Sequence, residues 1–204
     1  MPPTVVLAMV PQLNADLLTA AHWQRLEALC AVPDRAPLTT FEEPRAAQLL
    51  AHAEILLTGW GCPMIDPHVL SRAPQLRAVV HAAGTVKQHL DAACWEHGLA
   101  VTSAAAANAV PVAEYTVAAI LFANKRVFRL QQRYREVREF RWWAAECPGL
   151  GNYRKVVGLV GASHVGRKVI ELLRPFALAV QVCDPFLSQA DAAALGVRDR
   201  KSVV

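Results

Sequence analysis

Cysteine is sparse in this chain, and the five that occur, at positions 30, 62, 94, 147 and 183, form no C-x-x-C pair. That pattern excludes a disulfide framework and a thiolate zinc cluster, and it suits a reducing cytosol. None of the seven histidines is spaced H-x-x-x-H or H-E-x-x-H, so no metal site is expected. Charge is also low, at 19% of residues against 54% hydrophobic, which excludes intrinsic disorder. The balance of 21 basic and 17 acidic residues gives a net charge of +4, too even for a dedicated nucleic-acid binder. The start, Met1-Pro2-Pro3-Thr4, lacks the positive leader of a secretion signal. The longest apolar stretch, residues 104–123, is interrupted by Pro111 and Glu114. An acid in mid-membrane costs about 2.5–3.5 kcal/mol. The expectation is a soluble, cytoplasmic protein that does not bind membrane. Internal repeats and low-complexity tails are absent too.

What remains is a chain of 204 residues, enough for one domain or one and a fraction. Thr4 to Val10 is a β-branched apolar run that predicts a buried strand. Residues 16–30 place Leu18, Leu26, Leu29 and Cys30 on one helical face. Strands are predicted at 55–58, 76–81 and 99–102, with helices at 46–53, 66–72 and 85–97. Gly59-Trp60-Gly61 and Ala82-Ala83-Gly84 break the pattern between them. This alternation predicts parallel βα units in a doubly wound sheet.

Asn108 is the expected N-cap of a long helix, with Pro111 in its first turn and a stripe of Val112, Thr116, Ile120, Ala123 and Val127. This places a boundary between a first domain, 1–107, and a second, 108–204. A basic stretch from Lys125 to Arg141 reads as a solvated or subunit-interface face rather than a nucleic-acid surface. A strand at 156–160, a helix from Val165 to Phe176 and a strand at 178–183 then form a βαβ unit.

That unit carries the chemistry. Gly161-Ala162-Ser163-His164-Val165-Gly166 joins strand to helix, and Asp184 ends the next strand. This is the layout of a dinucleotide-binding fingerprint. Gly161 allows the tight turn and Gly166 lets the helix approach the strand. The free N–H groups of the helix start face a pyrophosphate, which the helix dipole also favours. The Asp184 carboxylate would accept from the adenine ribose hydroxyls and repel a 2′-phosphate, so NAD is expected over NADP. The middle glycine of the motif is replaced by Ser163. Its Cβ narrows the space, and its hydroxyl offers a further donor.

With this motif the sequence resembles the D-isomer-specific 2-hydroxyacid dehydrogenases. Three further segments carry the likeness: L-R-A-V-V-H-A-A-G at 76–84, G-L-A-V-T-S at 98–103 and N-A-V-P-V-A-E at 108–114. The resemblance implies a flavodoxin-like first domain and a Rossmann dinucleotide-binding domain after it. It implies hydride transfer between NAD and a 2-hydroxy or 2-keto acid. It assigns the substrate carboxylate to the backbone at Ala83 and Gly84 and the nicotinamide to the neighbourhood of Val112. The pyrophosphate falls to Ser163, His164 and Val165 within the Gly161–Gly166 turn, and the ribose to Asp184. It implies a homodimer as well.

The family's catalytic Arg, Glu and His have no matching positions before Val204, and residues 199–204 do not read as a continuation of the family pattern. The expectation is therefore a truncated second domain, no catalytic residue in this chain and no turnover by the chain alone. The apolar strand 156–160 would present an unpaired edge. The alternative is a non-catalytic, regulatory NAD-binding protein.

Overall fold

The computed structural model describes residues 1–142 and 147–199, so the expectation for residues 200–204 lies outside the described residues. The chain divides into two units, Met1–Ala105 and Ala106–Val204.

In the first unit β1 (Val5–Ala8), β2 (Ile55–Thr58), β3 (Ala78–His81) and β4 (Ala100–Ser103) form one sheet in the order β1-β2-β3-β4. Every pairing is parallel, in the register Val5–Ile55–Ala78–Ala100. The helices are α1 (Pro11–Leu17), α2 (Ala20–Leu29), α3 (Pro44–Leu50), α4 (Pro67–Arg72) and α5 (Ala93–Glu96). Beyond β1, Thr4 and Ala8 make isolated parallel bridges to Ala31 and Leu38. That segment therefore occupies the place of an outer strand, and the order matches the doubly wound 2-1-3-4-5 arrangement. The core is apolar at Leu7, Leu38, Leu50, Leu56 and Ile65, each of which is fully buried. Each such side chain contributes about 1.5–3 kcal/mol relative to exposure.

Local chemistry sets the helix boundaries. Asp66 caps α4 by accepting the Val69 N–H at 2.9 Å, and Pro67 follows at the first helical position. The single helix expected over 16–30 is two, because Thr19 starts a new one and its N–H donates to His22 Nδ1 at 3.3 Å. The helix expected over 85–97 shrinks to α5. Ile65 N–H donates to the His89 carbonyl and Asp91 N–H to the Ile65 carbonyl, which hold residues 89–91 extended. Asp91 then receives the Ala93 N–H at 2.9 Å and opens the short helix.

Only two polar residues, Thr58 and His81, are fully buried among the described residues. They end β2 and β3 and join side chain to side chain, Thr58 Oγ1 to His81 Nδ1, at 2.9 Å. The ring of His89 lies 5.2 Å from that of His81, and its Nδ1–H donates to the Cys62 carbonyl at 2.7 Å. His81 Nε2 is buried with no hydrogen-bond partner.

Helix α6 (Ala105–Asn124) begins three residues before Asn108, so Asn108 lies within it and caps nothing. The alanines ahead of Asn108 extend the helix backwards, since alanine has the highest helix propensity. Pro111 consequently sits inside the helix rather than in its first turn. By length and composition α6 could cross a membrane. The helix stops at Asn124 because Arg126 is left-handed, with φ 49°, so Val127 belongs to α7 (Val127–Val137) and not to the α6 stripe.

The second sheet is β5 (Lys155–Val160), β6 (Leu178–Cys183) and β7 (Arg198–Asp199), parallel throughout, in the order β5-β6-β7. Helices α8 (His164–Leu173) and α9 (Gln189–Leu195) complete it. Val169 and Leu173 of α8 pack with Ala113 of α6 and with Val157 and Leu159 of β5. Val156 and Val160 point away from that core and are 59% and 81% exposed. Among the described residues β5 has a strand on one side only.

Candidate functional site

The site grows from the exit of β5. Gly161 has φ +92°, a conformation that side chains other than glycine rarely adopt, and its N–H donates to the Cys183 carbonyl at 2.9 Å. The chain turns at once and Ser163 starts α8 in an extended conformation (φ −79°, ψ −159°). Gly166 lies over that turn, and a Cβ placed there would strike the Gly161 carbonyl. The two glycines thus fix one close approach of helix to strand.

Three backbone N–H groups, those of His164, Val165 and Gly166, lead the ten-residue helix. The first N–H groups of any helix have no intrahelical acceptor, and they carry the positive end of its dipole. Ser163 does not cap them with its side chain. Its hydroxyl adds to a concave, donor-rich surface that fits a pyrophosphate.

Asp184 closes the other side. Its Oδ2 accepts the Ala162 N–H at 2.6 Å and its Oδ1 the Phe186 N–H at 2.8 Å. These two backbone donors, first Ala162 and then Phe186, hold the carboxyl below its ordinary range, and the Arg167 charge adds to them. The group is therefore ionised at neutral pH. Each oxygen retains a lone pair for a ribose hydroxyl. A hollow of about 150 Å³ opens between Ala162, Ser163, Arg167, Asp184, Phe186 and Leu187. Arg167 Nε donates to the Ala162 carbonyl at 2.9 Å, which fixes the guanidinium beside Asp184.

The structure brings Gly161, Ser163, His164, Val165, Gly166 and Asp184 together at this turn. Arg167 and Phe186 were missed by sequence reasoning. Arg167 follows the last motif glycine by one position, and Phe186 follows Asp184-Pro185, so position alone could have signalled both. Val112 is half-exposed and two turns into α6, not at its start. The α6 residues that share a groove with His164 and Arg167 are Ala106 and Val110. Ala83 and Gly84 belong to the first unit, just past the end of β3. Ala83 is buried, and its carbonyl accepts the Ala104 N–H at 3.0 Å. A larger hollow of about 410 Å³, lined by Leu173, Arg174, Phe176, Leu178, Val180 and Leu195 among others, contains none of the fingerprint residues.

Known proteins match this arrangement. Residues 117–203 match the D-isomer specific 2-hydroxyacid dehydrogenase NAD binding domain. The D-3-phosphoglycerate dehydrogenase of Mycobacterium bovis is 30% identical over 173 residues, which cover 83% of this chain and 32% of the relative. The erythronate-4-phosphate dehydrogenase of Pseudoalteromonas atlantica is 32% identical over 146 residues, 70% of this chain and 32% of the relative. The chain thus spans about a third of the length of these curated relatives.

Among solved structures, a phosphoglycerate oxidoreductase from Rhizobium etli superposes with a TM-score of 0.75 at 18% identity, covering 98% of this chain and 61% of that one. The D-lactate dehydrogenase of Aquifex aeolicus, solved with NAD and lactic acid, gives 0.69 at 22% identity, covering 97% and 56%. At these identities the structures establish the fold. With the glycine turn and Asp184 in the positions the fingerprint requires, residues 117–203 carry the pattern of the D-isomer specific 2-hydroxyacid dehydrogenase NAD binding domain, and the chain is similar in sequence to members of that family.

Proposed function

We propose that this chain holds NAD on its second unit and a 2-hydroxy or 2-keto acid on its first, as part of an NAD-dependent 2-hydroxyacid oxidoreductase. The observation that carries the reading is the Asp184 carboxylate bonded to the Ala162 N–H, which locks the glycine turn beside the open start of α8. In this reading the N–H groups of His164, Val165 and Gly166 bind the pyrophosphate, with the Ser163 hydroxyl. Asp184 accepts from the ribose, and Gly161 and Gly166 keep the surface clear. Val112 belongs to the nicotinamide neighbourhood, and the backbone at Ala83 and Gly84 receives the substrate carboxylate. Bound NAD supplies the hydride acceptor.

The domain assignment of 1–107 and 108–204 stands as part of the same proposal, as does a cytoplasmic location. We further propose a homodimer formed through α6 and α7. Their exposed Tyr115, Phe122 and Phe128 make an apolar surface of the kind that marks association sites. Sedimentation as a single copy at micromolar concentration would contradict that part.

The test is a titration of the purified chain with NADH, followed by tryptophan fluorescence. Saturable one-to-one binding is expected. Asp184→Ala should weaken it by roughly ten-fold or more, because hydrogen bonds to a charged group are worth about 1.5–3 kcal/mol. A folded chain that binds no NADH would refute the proposal.

A further inference from the structure

Trp60 is 56% exposed, on a turn whose backbone is closely constrained. The Cys62 N–H donates to the Gly59 carbonyl at 3.2 Å and closes a tight turn with Trp60 at its second position. Gly61, at the third, has φ +74°, the value that a type II turn demands of that residue. Gly61 resists replacement on two counts, its φ and its crowding, and Gly59 is crowded as well. A Cβ on Gly59 would meet the Leu13 and Met9 side chains, and one on Gly61 would meet Val10 Cγ1. The Trp60 carbonyl itself accepts the Val10 N–H at 3.0 Å. A turn this constrained displays a large indole to solvent, where it adds nothing to the core.

The turn sits at the carboxyl ends of parallel strands, the edge where open α/β sheets bind ligands. It leaves β2 directly after Thr58, whose carbonyl accepts the Ala82 N–H at 2.7 Å. The indole turn and the Ala82–Gly84 turn are thus neighbours across one hydrogen bond. Beside Trp60 this edge exposes Val10 and Met64.

Cations are scarce there. The first unit has six, Arg25, Arg35, Arg45, Arg72, Arg77 and Lys87. Arg35, Arg45 and Arg77 pair with Glu27, Asp34 and Glu54. Arg72 donates to the Phe41 carbonyl, and Arg25 lies on α2. Lys87 alone stands in the loop after Gly84, and no arginine fork is offered to a phosphate there.

We infer that Trp60, with Val10 and Met64 exposed near it in the chain, is a specificity-determining wall that selects a 2-hydroxy acid with an aromatic or branched apolar side chain over a phosphorylated one. The inference rests on the 2-hydroxy-acid reading of the Ala83–Gly84 turn.

The test uses the ¹⁵N-labelled full chain with NAD⁺. The indole N–H signal of Trp60 is assigned by its loss in Trp60→Phe. D-phenyllactate, D-lactate and 3-phospho-D-glycerate are titrated separately. D-phenyllactate is expected to shift the indole signal and to bind about ten-fold or more tighter than the other two, since one apolar group in a pocket is worth about 10–200-fold. Trp60→Ala should bring it close to D-lactate, while the amide shifts of Ala83 and Gly84 persist. Tighter binding of 3-phospho-D-glycerate, or a preference that survives Trp60→Ala, would overturn the inference. If none of the acids shifts Ala83 or Gly84, the 2-hydroxy-acid reading fails and takes the inference with it.

Discussion

Gly166→Val is expected to destabilise the second unit by about 2–3 kcal/mol, at the upper end of what overpacking costs. The added Cβ meets the Gly161 carbonyl, which is backbone and cannot rotate aside. Nor can either partner retreat freely. Gly161 is tied to Cys183 through its N–H, and α8 is fixed by buried Val169 and Leu173. Whatever fraction remains folded should lose about ten-fold in NADH affinity, because the helix start moves away from the turn. Gly158→Ala is the control. A Cβ there meets nothing, and glycine weakens a strand interior, so the change should be neutral or slightly stabilising. Urea unfolding of both variants distinguishes the cases. Equal stability would refute the close approach assigned to Gly166.

Acidification below about pH 6.5 should lower the stability of the first unit, which buries His81. His81 is 1% exposed, and burial, with the neighbouring His89 charge as a second cause, lowers its pKa from the ordinary 6.5. The groups that face it are the Thr58 hydroxyl and the His89 ring, and the Cys62 carbonyl engages His89 in turn. No carboxylate is bonded to either imidazole among the described residues, so nothing compensates a charged ring. The unfolded chain takes up its proton near pH 6.5 and the folded chain only at lower pH. Stability is therefore complete above about 6.5 and falls as pH drops toward the lower folded value. For one proton the slope is at most about 1.4 kcal/mol per pH unit. Urea midpoints at pH 7.5, 6 and 5 would show the decline, and an NMR titration of the His81 ring would show it neutral below 6.5. A His81 that titrates at 6.5 or above would contradict this account.

Short-range signals read the fold well where they agreed with long-range ones. Strands 55–58 and 178–183 lie where their apolar runs predict. The glycine turn and Asp184 were legible because each residue type there is dictated by local backbone chemistry. The doubly wound architecture followed from the alternation of the elements. The misreadings have physical causes. Residues 85–97 carry a helical pattern, but the bonds to Ile65 hold residues 89–91 extended, and no window around 85–97 contains that partner. Asn108 has the right chemistry for a cap, yet the preceding alanines prolong the helix past it. The outer-strand role of Ala31 and Leu38 rests on two isolated bridges and leaves no alternation to detect. Arg167 entered the site only through its bond to the Ala162 carbonyl, which a list of residues does not display.

The central claim is that the turn between β5 and α8, with Asp184, is a working dinucleotide site. The most direct measurement is an amide ¹H–¹⁵N map of the chain titrated with NADH. The account predicts that the largest shifts fall on residues 161–167 and 184–187 and saturate together with one dissociation constant. Saturable shifts centred elsewhere, or an unchanged spectrum from a folded chain, would contradict it.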